Sequence, residues 1–162
     1  MPKWTAVRKW MIAHRVWLVA AALLLLVDRA TKVWALYDLA ANGPVILGKY
    51  LWLNYVENTG MAFGLFQNGN ALLIVVMFAV IGYIIYSWKE IANYGTWAEG
   101  GAILILTGAL GNLYDRLTLG FVVDFIDLRV WPVFNGADSF ITVGAVLLGI
   151  SLLQKKPAAQ EK

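Results

Sequence analysis

From Ala71 to Trp88 the chain runs for 18 residues without a charged side chain, and no other feature limits its possible folds as much. As a helix such a run is about 27 Å long at ~1.5 Å per residue, close to the ~30 Å hydrocarbon thickness of a bilayer. Three further runs of similar character lie at about 16–37, 98–119 and 137–153. The charged residues, 14% of a chain that is 60% hydrophobic with a mean hydropathy of +0.67, bunch between these runs instead of spreading over a surface. That distribution implies a single integral membrane domain, residues 1–162, built as an all-α membrane protein with four transmembrane helices.

Loop charge sets the expected orientation. Lys3, Arg8, Lys9 and Arg15 precede the first run with no acidic residue among them, and Lys155, Lys156 and Lys162 follow the last. Both termini are therefore expected in the cytoplasm. On that reading the net charge of +3 and the pI near 9.2 reflect membrane orientation, and no nucleic-acid partner is expected. AAALLLLV leads into DRATK with no small-x-small site, so the first run reads as a retained span and not as a cleavable signal. The first outer segment, Asp38 to Asn70, is too patterned for a plain connector. Its PVILGKYLWLNYVEN alternates β-branched and aromatic residues, which predicts a small β-rich element there. The NTGMAFGLFQNGN that follows suits either the mouth of a site or an ordinary glycine-rich loop.

With spans one and three running outward and span four inward, the costly charges collect on one side. Asp28 and Lys32 lie four residues apart on one helical face and read as an internal ion pair. Asp115 and Arg116 fall at the outer end of span three and read as a structural charge pair. Asp138 opens the last apolar run, and Asp124 sits among Val122, Val123, Phe125 and Ile126, where an ionised carboxylate has little water. Ionisable groups in such places mark functional sites.

The chemistry available to them is narrow. The chain has no cysteine, and its one histidine, His14, stands in the basic N-terminal segment, so no Ser-His-Asp triad, thiol nucleophile or HExxH zinc site is expected. No GxSxG, SxxK, Walker or Rossmann pattern is present. A pair of aspartates remains. Two carboxylates sharing one proton can act as an aspartic peptidase, and intramembrane aspartates also serve as proton relays in transporters. Residue spacing leaves both open.

Five blocks add a further indication: DRATK at 28–32, NYVENTGMAFG at 54–64, GALGNLYDR at 108–116, VVDFID at 122–127 and FNGADS at 134–139. In this order, between four apolar runs, they resemble lipoprotein signal peptidase (signal peptidase II), a family of bacterial inner-membrane aspartic endopeptidases. The resemblance implies removal of signal peptides from prolipoproteins ahead of a diacylglyceryl-modified cysteine. It puts the catalytic pair on Asp124 and Asp138, and substrate-binding or supporting roles on Asn54, Gly60, Asn112, Asp115, Arg116 and Asn135. It implies no metal or cofactor, a lipidated prolipoprotein and membrane lipids as partners, a monomer, and an active site facing the outer side of the inner membrane. The family's DQ stands here as Asp28-Arg29. The other reading, a small proton-coupled membrane transporter, would fit better with an inverted repeat or a broken helix pair, and neither is evident.

Overall fold

The structure is a computed structural model that describes residues 12, 14–60 and 69–154. The basic residues Lys3, Arg8, Lys9, Lys155, Lys156 and Lys162, and residues 61–68 within NTGMAFGLFQNGN, lie outside the described residues.

Helices occupy the four apolar stretches. Helix α1, Arg15–Trp34, continues through a π-helical stretch Ala35–Leu39 and a closing turn Ala40–Asn42, beyond the expected end near residue 37. Strands β1, Val45–Ile46, and β2, Trp52–Asn58, follow. Helix α2, Asn70–Tyr86, stops at Ser87, and the short α3, Trp88–Ala92, leads to α4, Thr96–Thr118. Strand β3, Val122–Asp127, and helix α5, Gly136–Leu153, complete the chain. Among the described residues α5 is long and apolar enough by itself to cross a membrane.

Glycine sets how closely α4 and α5 pack. A Cβ on Gly144 would lie 2.6 Å from the Gly101 carbonyl oxygen, and one on Gly101 would lie 2.7 Å from the Gly144 carbonyl oxygen. The two backbones therefore touch, as small residues allow where lipid offers no hydrophobic drive to associate. A Cβ on Gly108 would likewise run into the Ala137 carbonyl oxygen, so the N-terminal end of α5, which carries Asp138, is held equally close against α4.

The sheet differs from expectation. It is an antiparallel three-stranded sheet in the order β1-β2-β3, so one strand comes from the segment between α4 and α5 and not from the first outer loop alone. Val123 and Phe125 of β3 pack with Ala35 and Leu39 of the π-helical stretch in one apolar cluster. Pairing with β2 satisfies the β3 backbone while those side chains are buried, which a loop could not do. Gly120, with φ of 86°, makes the turn from α4 into β3. Val56 stands opposite Asp124, and a bulge interrupts the register between Leu53 and Val56.

Candidate active site

Asp124 and Asp138 reach the same place from different elements. Asp124 is on β3 and 1% exposed, while Asp138 is the third residue of α5 and half-buried. Asn135, the residue that caps α5, joins them. Its side-chain oxygen accepts from the Asp138 backbone N–H at 3.0 Å, and its own backbone N–H donates to Asp138 Oδ2 at 3.1 Å, a reciprocal capping box. With its oxygen so engaged, the Asn135 amide must present nitrogen to the interior. Nδ2 donates to Asp124 Oδ1 at 2.6 Å and to Asn112 Oδ1 at 3.2 Å.

The remaining carboxylate oxygens are also held by neutral donors. Asn112 Nδ2 donates to Asp138 Oδ1 at 2.8 Å, and Asn58 Nδ2 donates to Asp124 Oδ2 at 2.8 Å. Among the described residues no Lys or Arg lies within ion-pair distance of either aspartate. Burial first, and then the neighbouring Asp138 charge, push the Asp124 carboxyl up to about 7, against the lowering effect of its amide donors. A proton can thus remain on the pair at neutral pH.

Behind the pair lies a compensated cluster. Lys32, fully buried, bonds Asp28 Oδ2 at 2.9 Å and Asp115 Oδ2 at 3.3 Å, and Arg29 bonds Asp115 Oδ1 at 2.5 Å. Asp28 also accepts from the Ala137 N–H at 2.9 Å, which places an anion at the N-terminus of α5. A Cβ at Gly111 would lie 2.6 Å from Asp28 Oδ2, so glycine is what admits this carboxylate.

One expectation needs correction. Asp115 and Arg116 do not pair with each other. Neighbouring residues on a helix point about 100° apart, and Arg116 turns to the Gly60 carbonyl at 2.8 Å and to Asn70 Oδ1 at 3.2 Å. Asp115 instead takes Arg29 and Lys32, and its Oδ2 accepts the Val123 N–H at 3.3 Å, bracing β3 beside Asp124. Asn54 falls within the β2 bulge, between the paired residues Leu53 and Val56. The strand asparagine that reaches Asp124 is Asn58, whose Oδ1 also accepts the Gly60 N–H at 3.0 Å. Its place two residues before Gly60, inside the ENTG block, was the signal for it. Gly60 is buried and serves through its backbone.

Asp138 also forms the polar wall of a groove of about 470 Å³ lined by Leu128, Trp131, Phe134, Ser139, Thr142 and Val143. His14 is far from all this, bonded to Glu99 at 2.7 Å at the other end of α4. Among the described residues no group of His, Cys, Asp and Glu is placed to hold a metal ion.

Two aspartates bridged by one asparagine, with no cation within ion-pair distance of either, beside an apolar groove in a helical protein, are the groups an aspartic hydrolase needs. The model of the family described as signal peptidase (SPase) II matches residues 20–154. A lipoprotein signal peptidase of Thermodesulfovibrio yellowstonii is 42% identical over 143 residues, covering 85% of this chain and 94% of that one. One from Clostridioides difficile is 43% identical over 136 residues, covering 81% and 90%. A bacterial membrane enzyme solved by the in meso method at 2.3 Å superposes with a TM-score of 0.80 at 27% identity, over 91% of this chain and 93% of its own. The chain belongs to the signal peptidase II family. It is a bacterial membrane protein and an aspartic peptidase, and these likenesses give no support to a transporter.

Proposed function

We propose that Asp124 and Asp138 are the catalytic pair with which this peptidase removes signal peptides from diacylglyceryl-modified prolipoproteins, cutting before the lipidated cysteine. The observation that carries the reading is the bridge through Asn135: two carboxylates are held together with every oxygen bonded to a neutral N–H and none neutralised by a cation. In the resting state the pair shares one proton. The ionised carboxylate takes a proton from a water whose oxygen attacks the scissile carbonyl carbon, and the protonated carboxyl gives its proton to the carbonyl oxygen. The resulting gem-diol collapses as its C–N bond breaks. The amine leaves with the proton of one carboxyl while a hydroxyl of the diol gives its proton to the other carboxylate, so the new carboxyl terminus forms and one proton is again shared by the pair.

The groove beside Asp138 suits an apolar signal-peptide segment, which offers shape and little side-chain chemistry to read. Val19, Leu23 and Leu26 of α1, Val75 and Phe78 of α2, and Val146 and Ile150 of α5 are exposed. A bilayer is the solvent that such surfaces require. The four helices cross it in our reading, with the aspartate end outward, so that acyl chains stay in lipid while the scissile bond meets water.

Purified protein in detergent should shorten a lipidated prolipoprotein and cut its unmodified-cysteine counterpart poorly or not at all. Asp124→Asn and Asp138→Asn, each shown to be inserted and folded, should form no product. Substantial turnover by either variant would remove the assignment, and equal cleavage of both substrates would remove the lipid requirement. For orientation, Lys49→Cys should react with a membrane-impermeant maleimide in intact spheroplasts and Glu90→Cys only after lysis. The reverse pattern would invert the topology.

A further inference from the structure

The buried ammonium of Lys32 has a third partner besides its two carboxylates: Nζ donates to Asn112 Oδ1 at 2.8 Å. An ammonium has only donors, so the Asn112 carboxamide must turn its oxygen towards Lys32 and its nitrogen away from it. The nitrogen then meets Asp138 Oδ1 at 2.8 Å. The same Asn112 oxygen accepts from Asn135, whose amide also holds Asp124. A flipped Asn112 would set its NH₂ against an ammonium and its oxygen against a carboxylate, losing both bonds and adding two repulsions. One cation behind the site thus decides which atom each neutral amide shows to the aspartates.

We infer that Lys32 is a positioning residue for hydrolysis, acting through Asn112 to orient Asp138 and, through Asn135, Asp124. This rests on the assignment of the pair made above. Lys32 does not touch substrate, and Asp28 and Asp115 cancel its charge locally, so a role confined to that ion cluster is the competing account. The two accounts differ in what Asn112 transmits.

The test compares wild type with Lys32→Met, Asn112→Ala and the double variant, using a lipidated prolipoprotein in detergent. The charged groups facing the pair from the packed elements are Lys32 and Asp28 on α1 and Asp115 and Arg116 on α4. Removing the cation among them leaves the pair more negative surroundings, so the alkaline limb of the rate profile should move to higher pH. Lys32→Met should lower kcat about 10- to 100-fold, as a misoriented catalytic group does, with KM within about threefold. In the Asn112→Ala background the same substitution should add less than about threefold, because both changes break one chain of contacts. If Lys32→Met does not fold, Asp28→Asn/Lys32→Met keeps the buried charge balanced and takes its place in the kcat, KM and double-variant comparisons, with the limbs of the profile expected to stay where they are. Wild-type kcat with unmoved limbs would overturn the inference, and so would losses that multiply fully with Asn112→Ala. Asp138→Asn run in parallel separates this from the broader reading: an active Asp138→Asn would sink the pair itself, whereas an inactive one beside a wild-type-like Lys32→Met would sink only the role of Lys32.

Discussion

Two sets of carboxylates, all buried but the half-buried Asp138, lie within one asparagine of each other and are treated in opposite ways. Asp28 and Asp115 are 3% and 0% exposed, and two cations, Arg29 and Lys32, match their two charges. Asp124 is as deeply buried, at 1%, yet it and Asp138 receive only amide and backbone N–H groups. A paired carboxylate deprived of its cation is left with an uncompensated buried charge, so such a cluster braces a structure. A carboxylate held by neutral donors keeps its geometry without giving up its capacity to carry a proton. The contrast separates scaffold from chemistry among groups that look alike in sequence. Arg29 belongs wholly to the first set: its guanidinium is taken up by Asp115 and lies 5.1 Å over the Tyr114 ring.

Four outcomes would break or sharpen this contrast. The largest effect should come from the pair: Asp124→Asn/Asp138→Asn should lose about 10³-fold or more in kcat and be scarcely worse than either single variant, because the groups act as a unit. Additive losses in single-turnover assays would count against a shared mechanism. Next comes Asp115→Asn, which strips the charge from the partner of both Arg29 and Lys32. It should cost about 3 kcal/mol and lower the melting temperature in detergent, whereas Asp124→Asn should not lower it at pH 7.

A third effect follows from the Asp124 carboxyl being pushed up to about 7. Between the ordinary carboxylate range and that value the folded chain binds more protons than the unfolded one, so stability falls as pH rises from about 4 to about 7. The loss should be on the order of 4 kcal/mol. Asp124→Asn should flatten that slope in a melting series, and cleavage by the wild type should decline as pH passes above about 7, where the shared proton leaves. The smallest effects distinguish two asparagines on one strand. Asn58→Ala should lower kcat/KM about 10- to 100-fold, the worth of one hydrogen bond to a charged group. Asn54→Ala should stay within about twofold of wild type, and a larger loss would place Asn54 in the substrate's path.

What the amino-acid sequence determined by itself is the part governed by local periodicity. Long uncharged runs dictate helices, and α1, α2, α4 and α5 occupy the four stretches so marked. The spacing of four between Asp28 and Lys32 dictates their ion pair, found at 2.9 Å. Asp124 and Asp138 stood out because each interrupts apolar sequence at a cost that packing alone would not incur. Tertiary structure decided the rest, and in each case the partners are remote. Arg29 and Asp115 are 86 residues apart, Lys32 and Asn112 80, and Asn58 and Asp124 66. Adjacent Asp115 and Arg116 looked like a pair in the chain, but the helix turns them to different neighbours. Asn54 and Asn58 have the same chemistry on one strand, and only the register with β3, shifted by its bulge, selects between them. A side chain's own sequence limits what bonds it can make, while the partner it meets is chosen by how helices and strands pack around it.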